Sequence, residues 1–171
     1  MKITFLISTF SLGIALTSFT TSKPVQSIFY SITSDSIPEM NQKIVAFAAS
    51  KLNKKVGTGE CWDLAAEALK SINAKWDMQY KFGKEINYKK EPVYPGDIIQ
   101  FENVVLTYEI DKRKYMEKMS HHTAIVYEVK GPNNFTLIHQ NTGYTGRKVG
   151  TSPLDLNTLT KGKFKVFRAE R

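Results

Sequence analysis

One cysteine, Cys61, stands alone among 171 residues. No internal disulfide can form, so the fold must rest on its core, and the thiol is either reactive or buried. No apolar run approaches the roughly 20 residues that a membrane-spanning helix needs. The longest, ITFLISTFSLGIAL after Lys2, is shorter and dotted with Ser and Thr. It reads as the core of an export signal over residues 1–22, followed by a linker or N-terminal arm over 23–35. No cysteine lies near the expected cleavage point at Ser22, so a lipid anchor is not expected, nor is a transmembrane one. Zinc-finger spacing, an RNA-binding signature, internal repeats and low-complexity tracts are also missing. The formal net charge is +8, yet the lysines are scattered through KLNKK, NYKKE, DKRKYMEK and KGKFK. Nucleic acid is therefore not an expected partner, whereas anionic envelope polymers suit a basic surface.

What remains, residues 36–171, is long enough for one domain with its own core. Ser36 and Glu39 have capping-box spacing, with Pro38 near the helix start. Ile44, Val45, Ala48 and Leu52 then recur at helical spacing, which predicts a first helix over about 38–54. Gly57 and Gly59 interrupt it. A second helix is expected from Glu60 to Asn73, carrying Cys61 in its first turn and continuing through Ala65, Leu69 and Ile72. Residues 75–94 are aromatic and basic and predict no firm element. Strands follow at YPGDIIQF, VVLTYEI, HTAIVYEV, FTLIHQ and FKVFR, and DKRKYMEKMS between two of them reads as a loop or short helix. Helices first and strands afterwards predict an α+β domain, its N-terminal helices packed on an antiparallel sheet.

The arrangement of thiol and imidazoles suits nucleophilic catalysis. A helix start offers free N–H groups and the positive end of the helix dipole, both of which favour a thiolate and can hold an oxyanion. The bland alternative for Cys61 is a small buried hydrophobe. All three histidines, His121, His122 and His139, fall on one expected hairpin turning at KGPNN. A two-residue loop at Lys130 and Gly131 sets His122 opposite His139; a four-residue loop ending at Asn133 sets it opposite Asn141. In either register His122 shares a face with Ala124, Val126, Leu137, His139 and Asn141. That mostly apolar face is expected to cover the cysteine helix, with His121 pointing the other way as a lesser neighbour. The reading is Cys61 as nucleophile, His122 as base and His139 or Asn141 behind the ring. Cys61, His122 and His139 could also supply three zinc ligands, but His121 cannot turn in as a fourth, so no metal or other cofactor is expected.

The set VGTGECWDLA, YPGDIIQFE, HHTAIVYEV and FTLIHQN resembles the papain-like cysteine peptidases and amidases of the NlpC/P60 and CHAP group, over roughly residues 51–141. The resemblance implies a papain-like catalytic domain with Cys61 as nucleophile, His122 as base, His139 or else Asn141 as third polar residue, and the Cys61 backbone N–H as oxyanion donor. Glu60 and Trp62 flank the cysteine and are candidate substrate contacts, although they depart from the flanks usual in either family. It further implies an exported or envelope-located hydrolase that cleaves an amide bond of cell-wall peptidoglycan. The alternatives are a non-catalytic papain-like binding domain and a secreted effector protease or acyltransferase.

Overall fold

A computed structural model describes residues 36–171; the expected signal and arm lie outside them. The described residues form two α-helices and six strands: α1 (Glu39–Ser50), α2 (Asp63–Ser71), β1 (Lys84–Ile86), β2 (Ile98–Ile110), β3 (Arg113–Gly131), β4 (Asn134–His139), β5 (Gly150–Asp155) and β6 (Leu159–Arg168). Every strand pair is antiparallel, and the sheet runs β1-β6-β2-β3-β4-β5. The α+β architecture, with both helices on an antiparallel sheet, is thus as the sequence predicts.

The helices are held by what they bury. Ile44 and Ala48 of α1 and Leu64, Ala65, Ala68 and Leu69 of α2 pack on Ile98, Ile125, Ile138 and Phe167 of the sheet. Each fully buried Leu or Ile here contributes about 1.5–3 kcal/mol. The opposite sheet face has its own apolar cluster, including Ile99, Phe101, Ala124, Val126, Phe135, Leu137 and Val166. Pro38 is the N-cap of α1 and makes no side-chain cap bond of its own.

Asp97, fully buried, ties three elements together. It accepts from the Tyr94 N–H at 2.9 Å, from Asn41 of α1 at 2.8 Å, and from Arg168 of β6 at 2.9 and 2.7 Å. Gly96 beside it has φ +88° and lies so close to the Asn41 backbone that a Cβ there would collide with it. The Pro-Gly-Asp turn is therefore a clamp between α1 and the start of β2.

Four expectations are corrected. IIQF and VVLTYEI form one strand, β2, bent at Asn103 (φ 52°) rather than broken. DKRKYMEKMS is neither loop nor helix; it belongs to β3 and pairs with the far half of β2 as a projecting arm. Its tip is a two-residue turn in which Asp111 and Lys112 both have positive φ, the geometry that matches strand twist. Residues 84–86, left without an element, add an edge strand to β6. Lastly, α2 starts at Asp63, so Cys61 sits in the turn before the helix and not in its first turn.

Candidate active site

The loop that carries Cys61 is pinned from three sides. The Asp63 carboxylate accepts from the N–H groups of Gly59 and Glu60, both at 3.0 Å, and from the Thr58 hydroxyl at 2.7 Å. Gln140, fully buried, accepts from the Val56 N–H at 3.1 Å and donates to the carbonyls of Val56 at 2.9 Å and Glu60 at 2.8 Å. Glu60 in turn accepts from Arg147 at 2.8 Å and Asn141 at 2.9 Å. Among the described residues no backbone acceptor takes the N–H of Cys61 or Trp62, which leaves two donors at the sulfur's own turn.

From that turn the Cys61 thiol reaches β3 where β4 no longer pairs with it. The β3–β4 ladder ends at Ile125–Ile138, whereas β3 remains paired with β2 through His121–Thr123. Sγ lies 3.9 Å from the His121 carbonyl oxygen, and the Thr123 N–H also faces it. Burial pushes the thiol pKa up, against the pull of the N–H groups of Thr123, Trp62 and Cys61 itself. The helix start thus does not make a resting thiolate, because desolvation outweighs the backbone donors.

The His122 ring is buried on the face of Phe101 and Ala124. Its Nε2 lies 2.8 Å from His139 Nδ1, and His139 Nε2 lies 2.9 Å from the Ser152 hydroxyl. Its Nδ1 has no hydrogen-bond partner among the described residues. The inner β3–β4 pairs have the register that places His122 opposite position 141, but the ladder stops first, so His139 meets His122 as a diagonal neighbour. The chain leaves the strand after His139, and Asn141 turns to Glu60 instead of the ring. Burial, then the neighbouring His121, lowers the His122 pKa to about 4; burial, then His122, lowers that of His139 to about 3.

The expected facing of the hairpin is reversed. The helices cover the face of Ile98, Ile125 and Ile138, which by strand alternation is the His121 side, not the His122 side. The sulfur meets β3 at its free edge, at the His121 carbonyl and the Thr123 N–H, one residue to either side of His122. A cavity of about 700 Å³ is lined by Cys61, Trp62, His121, His122 and His139 together with Glu60, and Asn141 also reaches it. On the helix side, Nδ1 of His121 lies 3.0 Å from both Glu102 carboxylate oxygens. Ser152, Gln140 and Glu102 were not foreseen as site residues. Gln140 did carry a signal: it is a polar residue one step after His139, on the side that the helices cover.

A family model described as the AIM3/BBC1 cysteine proteinase-fold domain matches residues 37–171. The chain belongs to this family. No curated protein sequence matches it. Among solved structures, Ly7917 superposes with a TM-score of 0.46 at 17% identity, over 74% of this chain and 62% of Ly7917. Ly7917 with the hydrolyzing product of MDP gives 0.45 at 16% identity over the same shares. The chain thus spans less than two thirds of Ly7917. In this cysteine proteinase-fold domain the sole cysteine opens onto the one cavity shared with all three histidines.

Proposed function

We propose that the domain is a cysteine hydrolase of amide bonds, with Cys61 as nucleophile, His122 as base and His139 as the group that orients His122. One observation carries this reading. His122 commits Nε2 to His139, has no partner on Nδ1 among the described residues, and lines the same cavity as Cys61. Neutral imidazole takes the proton from neutral thiol as sulfur bonds to the substrate carbonyl carbon. The oxygen then gains negative charge beside the Cys61 and Trp62 N–H groups. As the C–N bond breaks, His122 returns the proton to the leaving amine, and water later cleaves the thioester.

As substrate we propose an amide of peptidoglycan, met in the cell envelope after export. This finer reading is supported by the Cys, Pro-Gly-Asp, His and polar order that the chain shares with NlpC/P60 and CHAP enzymes, by the +8 charge and by the apolar N-terminal run. Purified peptidoglycan incubated with the protein should release muropeptide fragments by mass spectrometry, and with Cys61→Ala it should release none. Release by neither protein removes the substrate; equal release by both removes the nucleophile. A second reading, a papain-like binding domain without turnover, is favoured by the protonated thiol resting on a carbonyl. Equal sedimentation of both proteins with peptidoglycan, without fragments, would support it.

A further inference from the structure

We propose that His121, braced by Glu102, is a second proton-transfer residue of this site: it activates the water that releases the acyl group from Cys61. The inference rests on the hydrolase reading and adds a residue to it.

Placement is the first argument. The His121 carbonyl touches the sulfur and its ring lines the same cavity, on the sheet face opposite His122. A thioester on Cys61 would therefore lie in a cavity that both His121 and His122 line. Access differs between them: the His121 side chain is 40% exposed, whereas His122 is 8% exposed. Water reaches the first far more readily.

The second argument is the way the ring is held. Glu102 lies against Nδ1, so the Nδ1–H donates to the carboxylate, and Nε2 keeps its lone pair when the two Gln100 amide hydrogens go to the Phe101 carbonyl and to Glu102. Behind it, the Thr123 hydroxyl donates to Gln100 at 2.6 Å, and the Gln100 amide nitrogen lies 3.3–3.4 Å from the ring nitrogens and 3.4 Å from Glu102. Thr123 and Gln100 are 0% and 3% exposed on the face that packs the helices. Polar side chains in such a place are costly unless bonded. Apart from Gln100's bond to the Phe101 carbonyl, the side-chain bonds of this pair run within the chain of groups that ends on His121. The Tyr80 ring, at 4.2 Å and edge-on, closes the remaining side.

Chemistry divides the work. A thiol is a weak acid that even a largely buried, neutral imidazole can deprotonate during attack. Water is a far weaker acid and calls for a positioned base that solvent can reach, and the carboxylate on Nδ1 fixes the His121 ring and its tautomer. His122 has only a neutral imidazole behind it, and its pKa is lowered to about 4. In the proposed step, His121 Nε2 takes a proton from water while the water oxygen bonds the thioester carbon. The C–S bond then breaks, the acid departs, and His121 returns the proton to Sγ.

The test uses p-nitrophenyl acetate in stopped flow, with the Cys61→Ala rate subtracted, because its leaving group needs no proton and separates acylation from release. The unaltered protein should show a burst of nitrophenolate followed by slower turnover. In His121→Asn the burst should persist while turnover falls about 10²-fold, within the usual range for a general base, and intact-mass spectra should show acetylated Cys61 accumulating. Glu102→Gln should lower turnover about tenfold with the burst kept, and it carries the test if His121→Asn does not fold. His122→Asn should lose the burst. Unchanged turnover in a folded His121 or Glu102 variant overturns the proposal and leaves the hydrolase reading standing. No burst from the unaltered protein overturns both.

Discussion

His121 and His122 follow one another in β3 and point to opposite sides of the sheet, and their surroundings differ in exposure and in hydrogen-bond partners. His122 is largely buried beside Phe101, with a second imidazole at Nε2 and a hydroxyl behind that. His121 stands half-open to the cavity with a carboxylate on Nδ1. Strand alternation alone separates them, since one step along the chain exchanges one sheet face for the other. The difference teaches that the strand edge met by a thiol can carry two imidazoles in unlike surroundings. It also makes the family's cysteine proteinase fold compatible with more than one division of labour.

The largest effect that sharpens this contrast concerns pH. His122 and His139 have folded pKa values of about 4 and about 3, below the ordinary 6.5. The unfolded chain therefore binds protons first on acidification, and the stability is full above pH 6.5 and is lost as pH falls through about 4 toward 3. At about 1.4 kcal/mol per unit, the loss is on the order of 3 kcal/mol or more. Urea unfolding from pH 7 to 4 should show it, and a His122→Asn/His139→Asn double variant should flatten the slope in that window. An unaltered slope would mean that the buried pair is not its source.

Next in size is Gln140→Ala, which leaves the buried Val56 N–H without an acceptor and the Val56 and Glu60 carbonyls without the amide donor. Stability should fall by about 2 kcal/mol, and alkylation of Cys61 should speed up as its loop loosens. Equal alkylation rates would show the loop to be held by Asp63 alone. The smallest effect is expected on the open side. Glu102→Gln replaces the partly exposed carboxylate partner of the His121 ring by an amide and should cost under about 1 kcal/mol in urea unfolding, although turnover is expected to fall about tenfold. A greater loss would make the His121 cluster structural.

Much of the fold was legible because helices and sheet strands advertise themselves by spacing. Ile44 and Ala48, then Ala65 and Leu69, mark the buried stripes, and the alternation in HTAIVYEV and FTLIHQ marks strands that pair as expected. The projecting arm was not legible, because Asp111 and Lys112 form its tight turn without the glycine that usually announces one. In the candidate site, Cys61, His122 and His139 reach one cavity, but which face the helices take was misread. Both sides of β3 are apolar around Ala124 and Ile125, so periodicity could not choose between them. Gln140 and Val56, 84 positions apart, have no local pattern that would announce their bond.

Gln140 is also the residue next to His139, and it grips the segment that leads to Cys61. The cysteine turn and the imidazole pair are thus fastened to the same strand end. On the proposed hydrolase reading, a bulky ligand pressing on that turn would press on the support of His139 as well. The outlying β2–β3 arm lines the same cavity through Met116 and Lys118.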